Sequence, residues 1–259
     1  MSKRPPVTSF EFDDLLVVAN VGVRFGGLHA LRDISFTVRK GETFGIIGPN
    51  GAGKTTLLNA ISGLVRTRTG SINFAGTDIA GKRSNQIAGL GVGRSFQLAE
   101  GFARFTVWDY VRLGRVAVRR EASMLPEAGV DFDAGSLAAL ERFGLSDLGN
   151  SHMGLLSYGT RKLVDLARVM AGEPEILLLD EPTSGLSRAE RQEMTRHVRN
   201  LGDEGRTVLV VDHDVGFISE VASSALALAY GEAMCVGPLN EVLAHPKVVN
   251  SYLGSTEEV

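Results

Sequence analysis

The residues Gly48-Pro49-Asn50-Gly51-Ala52-Gly53-Lys54-Thr55-Thr56 are suited to holding a polyanion. Glycine lets a backbone curl until successive N–H groups face one point, where a side chain would keep a phosphate at a distance. An apolar run at 44–48 precedes the loop and a helical pattern opens within 53–63, so the anion meets a helix N-terminus. Gly48, Asn50, Gly51, Gly53, Lys54, Thr55 and Thr56 are therefore the candidate nucleotide contacts. Lys54 would reach β- and γ-phosphates, and Thr55 supplies the hydroxyl oxygen that Mg2+, a hard ion, takes as a ligand. Such a loop alone serves kinases, GTPases, motors and transporters equally.

A second cluster narrows the choice. Ile176-Leu177-Leu178-Leu179-Asp180-Glu181 is an aliphatic strand ending in two carboxylates, placed where parallel strands present their carboxyl ends to ligand. Asp180 would hold Mg2+ through water, and Glu181 would orient and deprotonate an attacking water. The alternative is a solvated acidic turn.

These groups need a rigid frame, and the apolar pattern supplies one. Segments 15–25, 31–38 and 71–75 have the texture of strands, and 175–180 and 207–212 are short aliphatic runs without alternation, as in a parallel sheet covered on both faces. Between the last two lies a helix that Ser187 and Glu190 would open as a capping box, with Met194, Val198 and Leu201 as its apolar stripe. Leu163, Leu166, Ala167 and Met170 share one helical face, which Gly172 and Pro174 stop. The sum is a doubly wound β-α-β unit. From about Gln97 to Ala171 the chain is mainly helical around a loop-like acidic stretch at 121–136, and that block has the look of an insertion.

Composition sets outer bounds. The 259 residues, 44% of them hydrophobic, can bury a substantial core, and a formal net charge of −3 without long runs of like charge gives no support to a nucleic-acid partner. No stretch of eighteen apolar residues occurs, and residues 1–14 lack an apolar leader core, so a cytosolic protein is expected. Cys235, the single cysteine, is expected to be a small buried hydrophobe.

Leu156-Ser157-Tyr158-Gly159, then Asp180-Glu181-Pro182-Thr183-Ser184-Gly185-Leu186, then His213, all following the phosphate loop, resemble the ATP-binding-cassette superfamily from about residue 15 to 254. The resemblance implies an α/β fold of the P-loop NTPase, RecA-like kind: a mainly parallel sheet core, an N-terminal antiparallel β subdomain and an inserted helical signature subdomain. It implies tails at 1–14 and 255–259, a nucleotide-binding core at 15–96 and 172–254, and a helical block at 97–171. ATP and Mg2+ are the implied ligands, bound in a head-to-tail dimer with a second ATPase subunit. Ser157 and Gly159 would bind the γ-phosphate of ATP held by the opposite subunit. Gln97 would sense Mg2+ and the attacking water; otherwise it is a surface amide. His213 would contact the γ-phosphate; otherwise it caps the following helix. Phe25 would stack on adenine; otherwise it packs in the core.

The runs Arg24-Phe25-Gly26-Gly27-Leu28-His29-Ala30-Leu31 and Gly93-Arg94-Ser95-Phe96-Gln97, Tyr158 inside the signature, and an ending that runs from His245-Pro246 to Leu253-Gly254 look like ATPase subunits of branched-chain or hydrophobic amino-acid importers. That implies two integral-membrane permease subunits, an extracytoplasmic substrate-binding protein acting indirectly, and a place on the inner face of the cell membrane. The permease would touch the segment after Gln97, where Phe102, Phe105, Trp108 and Tyr110 gather; a core for the helical block is the other reading. Arg112, Arg115 and Arg119 would share a solvated face or meet headgroups or the permease. Thr160, Ser187, Tyr110 and Ser223-Ser224 depart from that group's pattern. A soluble scaffold ATPase of the iron–sulfur assembly type, a lipid or lipopolysaccharide exporter and a P-loop kinase are the rival readings.

Overall fold

The computed structural model describes residues 13–95, 102–119 and 133–253, without the side chains of 116–119, 252 and 253. Gln97 and most of the acidic stretch lie outside the described residues.

The chain opens with β1 (Asp14–Phe25) and β2 (Leu28–Arg39), a hairpin whose partner strands β4 (Thr69–Phe74) and β5 (Thr77–Asp78) complete an antiparallel sheet ordered β2-β1-β4-β5. The second sheet is ordered β10-β9-β3-β8-β7-β6, made from β3 (Thr43–Ile47), β6 (Val92–Arg94), β7 (Ile176–Asp180), β8 (Thr207–Val211), β9 (Ser224–Ala229) and β10 (Glu232–Pro238). All of its pairings are parallel except the β9–β10 hairpin at one edge.

Strands buried on both faces explain the unbroken aliphatic runs. Leu177, Leu179, Val208 and Val210 face one core; Ile176, Leu178, Leu209 and Val211 face the other. The second core also takes Leu57, Leu58 and Ile61 of α1 (Lys54–Ile61), so the helix that follows the phosphate loop is clamped between the two sheets. The first core joins the sheet to α3 (Val107–Arg119), α4 (Ala134–Arg142), α5 (Tyr158–Ala171) and α6 (Arg188–Asp203).

Local chemistry sets the ends of these helices. Ser157 caps α5 by accepting from Thr160 N–H, and Ser187 with Glu190 forms the expected capping box on α6. Short elements escaped the periodicity: α2 (Ser84–Gly89), β6, α7 (Val215–Val221), α8 (Leu239–Ala244) and α9 (Pro246–Leu253). The loop expected to run to Ser136 ends sooner, because α4 starts at Ala134 and buries Ser136. Cys235, expected to be a small buried hydrophobe, is half-buried on β10 and packs beside the first core.

Tyr110 is buried, and Phe102 packs edge-on against it with ring centroids 5.1 Å apart. This part of the aromatic group belongs to the core of the helical block, while Phe105 stays exposed. Arg112 pairs with Asp133, and Arg115 with Glu173, so these two of the three cations named on α3 are engaged within the chain, and the Arg119 side chain lies outside the described residues.

Candidate functional site

Four parallel strands deliver their carboxyl ends to one place. β3 ends at Ile47 and runs into the phosphate loop; β7 ends at Asp180; β8 ends at Val211, before Asp212 and His213; β6 ends at Arg94. The register pairs Asp180 with Val211 and Arg94 with Leu178, which aligns these ends.

Gly48 and Gly53 of the loop are required sterically. A Cβ on Gly48 would lie 2.1 Å from the carbonyl oxygen of Leu228, and one on Gly53 would lie 2.9 Å from that of Ala30. Gly53 also precedes α1 with φ 102°, a conformation that side chains disfavour. Lys54 folds back, donating from Nζ to the carbonyls of Gly48 at 2.7 Å and Pro49 at 3.0 Å. Its burial lowers the ammonium's pKa, while Glu181, Asp212 and Asp180 oppose that shift. Asn50, Gly51 and Thr55 are exposed and Thr56 is half-exposed, so the loop's outer surface is open to a ligand.

Thr55 and Asp180 meet as the sequence suggested: Thr55 Oγ1 donates to Asp180 Oδ1 at 3.4 Å. Asp180 is no solvated turn residue, since its side chain is 9% exposed and its other oxygen accepts from Arg94 at 3.2 Å. Glu181 holds φ 46° and anchors its N–H on the carbonyl of Val211 at 2.8 Å. A non-glycine residue in this region costs about 1–3 kcal/mol, sustained here by the strands on either side.

His213 places Nδ1 3.9 Å from Glu181 Oε1 and 3.5 Å from Asp212 Oδ1, with its ring half-exposed. It does not cap α7; Asp214 does, accepting from Phe217 N–H at 3.1 Å. Phe25 stands at the tip of the β1–β2 hairpin with 50% of its surface exposed, so core packing does not account for it. Ser157 and Gly159 lie at the start of α5, beside α6.

Several residues the sequence did not single out hold this arrangement. Lys162 on α5 donates to the carbonyls of Glu181 (2.7 Å), Pro182 (3.2 Å) and Ser184 (2.8 Å), pinning the segment after the acidic pair. Asp212, fully buried, accepts from the hydroxyl of Thr183 at 2.7 Å and from its N–H at 3.2 Å. Arg94 bridges Asp180 to Ser62, and its own carbonyl accepts from Arg168 of α5. Arg168 in turn shares Asp165 with the Tyr110 hydroxyl.

Among the described residues no group of three His, Cys, Asp or Glu side chains forms a metal cage, and no helix is long and apolar enough to cross a membrane.

Residues 31–184 match the ABC transporter family. The chain belongs to that family. It is an ATP-binding cassette that binds and hydrolyses ATP. The cassette is 31% identical over 249 residues to the high-affinity branched-chain amino acid transport ATP-binding protein LivG of Salmonella typhimurium, covering 93% of this chain and 98% of that protein. It is also 31% identical over 252 residues to the protein BraF of Pseudomonas aeruginosa, of the same description, with the same shares covered. Among solved structures, the ADP conformation of MJ1267, an ATP-binding cassette of an ABC transporter, has a TM-score of 0.83 and 28% identity, over 93% of this chain and 99% of that one. The expected fold class, a parallel sheet core with an antiparallel β subdomain and a helical insertion, stands.

Proposed function

We propose that this cassette is the ATP-hydrolysing subunit of an importer for branched-chain or related hydrophobic amino acids. It would sit on the inner face of the cell membrane, against two permease subunits and a second ATPase subunit. The observation that carries this reading is the likeness to LivG and BraF, which runs nearly end to end in both chains. The core would be residues 15–96 and 172–254, with 97–171 as the helical signature block.

The geometry supports a division of labour. Backbone N–H groups of Gly48–Thr56 and the Lys54 ammonium would take the β- and γ-phosphates of ATP, replacing the carbonyls of Gly48 and Pro49 that Lys54 now contacts. Phe25 would offer its exposed ring to adenine. Mg2+ fits the site: a hydroxyl and a carboxylate already in contact, Thr55 and Asp180, are the oxygen donors it takes, with phosphate and water completing the set. When bound, the ion would neutralise charge that builds on the phosphate oxygens during transfer. Gln97 would join Thr55 and Asp180 in this role.

Glu181 would accept the proton of the attacking water, and His213, within 3.9 Å of it, would donate to the γ-phosphate. Ser157 and Gly159 would close over ATP held by the other subunit. Losing the γ-phosphate would remove that bridge and let the subunits part, a differential affinity that can drive a permease.

The test is to purify the tagged chain from its native membranes in mild detergent and identify its companions by mass spectrometry. Permeases with a second ATPase subunit support the importer. Companions that are all cytosolic contradict it and favour a scaffold ATPase, whereas lipid-export components point to the exporter.

A further inference from the structure

We propose that Glu190 is a built-in substitute for phosphate: in the single subunit its carboxylate fills the anion cradle of Ser157 and Gly159, and it must leave before ATP on the other subunit can be gripped there. The proposal rests on the reading of Ser157 and Gly159 as the contact to the opposite subunit's ATP.

The two oxygens of Glu190 have different duties. Oε2 serves its own helix, accepting from Ser187 N–H at 3.0 Å and from the Ser187 hydroxyl at 2.8 Å. Oε1 turns to the neighbouring helix, where the Ser157 hydroxyl donates to it at 3.2 Å. The backbone N–H of Gly159 lies close enough to this carboxylate to help lower the carboxyl's pKa. A Cβ on Gly159 would fall 2.4 Å from Oε1, so the oxygen lies directly over the signature glycine.

The proton count agrees. Ser157 Oγ accepts from Thr160 N–H at 3.1 Å and lies 2.9 Å from Thr160 Oγ1. With the Thr160 hydroxyl donating to Ser157, the one proton of Ser157 is left for Glu190. These donors are the ones an anion at the start of α5 would use, helped by the helix dipole. The carboxyl is held below the usual carboxylate range, first by the Ser187 hydroxyl and backbone, then by Ser157 and Gly159, although the residue is only half-buried.

A carboxylate and a γ-phosphate compete for the same donors and repel each other in one cradle. Pairing driven by ATP must therefore release Oε1 from Ser157 and Gly159. The release leaves α6 capped, because Ser187 keeps Oε2. Glu190 thereby raises the ATP concentration at which two subunits close.

The experiment uses the full chain carrying Glu181→Gln, which should bind ATP without turning it over. Pairing is followed by light scattering against ATP, with the second cassette recovered from membranes or with the chain itself where none is recovered. Glu190→Gln is the informative variant, since Gln at this position keeps the capping box while removing the charge. It should lower the ATP concentration for half-maximal pairing by about threefold to tenfold, as expected for loss of a charge-assisted contact. Glu190→Ala should shift it in the same direction. Gly159→Asp is the control, because it brings a second carboxylate to the cradle and should abolish pairing. An unchanged or raised half-point for Glu190→Gln, with Gly159→Asp inactive, overturns the role of Glu190 alone. Normal pairing by Gly159→Asp overturns the reading of the signature residues, and the proposal with it.

Discussion

The guanidinium of Arg94 lies 3.2 Å from Asp180 Oδ2, with the two side chains only 7% and 9% exposed. Burial lowers the pKa of Arg94, and the Asp180 charge with its hydrogen bond works against that shift. The pair leaves Oδ1 of the same carboxylate facing Thr55. Arg94 thus fixes which oxygen of Asp180 is presented at the phosphate loop.

Removing one member of a buried pair strands the other charge. Arg94→Met is expected to cost about 3–5 kcal/mol of stability, read from urea unfolding curves. Arg94→Lys, which keeps a charge but loses the planar fork, should cost less and still raise the Mg2+ concentration needed for half-maximal ATPase. A Met variant as stable as wild type would remove the pair from this account.

Tyr110 donates to Asp165 at 2.8 Å inside the helical block. Tyr110→Phe should lose about 1.5–3 kcal/mol, the range for a hydrogen bond to a charged group. The phenol is pushed well above its usual value, first by burial and then by Asp165, against the lowering influence of Arg168. A raised acid in the fold contributes stability that is whole below the unfolded pKa of about 10 and is lost as pH climbs above it. The stability difference between wild type and Tyr110→Phe should therefore shrink above about pH 10 in paired unfolding curves. Taking the difference cancels lysines such as Lys54 and Lys162, whose lowered values act with the opposite sign.

Lys162 gathers three carbonyls of the segment that follows Asp180. Lys162→Met should let that segment drift and reduce kcat by about tenfold to a hundredfold, the scale of a small misplacement of a catalytic group. Nucleotide KM should change little, because the phosphate loop is untouched. Steady-state kinetics separate the two, and a change confined to KM would contradict the positioning role.

How much of this could be read from the sequence depended on how far apart the partners lie along the chain. The phosphate loop, the Asp180-Glu181 ending and the capping box at Ser187 are contiguous, so residue type and spacing reported them directly. Arg94 and Asp180 are separated by 86 positions, and Ser157 and Glu190 by 33, and no local pattern links either pair. β6 has three residues, too few for a period to appear, yet it carries Arg94 to the site. Glu190 was visible as half of a capping box, and only the packing of α5 against α6 shows where its second oxygen goes. Gln97 was legible as a motif residue and lies outside the described residues.

The central claim is that this cassette hydrolyses ATP with Glu181 as the base. Phosphate release by Glu181→Gln against wild type, with nucleotide binding followed in parallel, tests it most directly. The account predicts equal binding and release slower by about a hundredfold or more, the scale of general-base loss. Release from the variant at the wild-type rate, with binding intact, would contradict it.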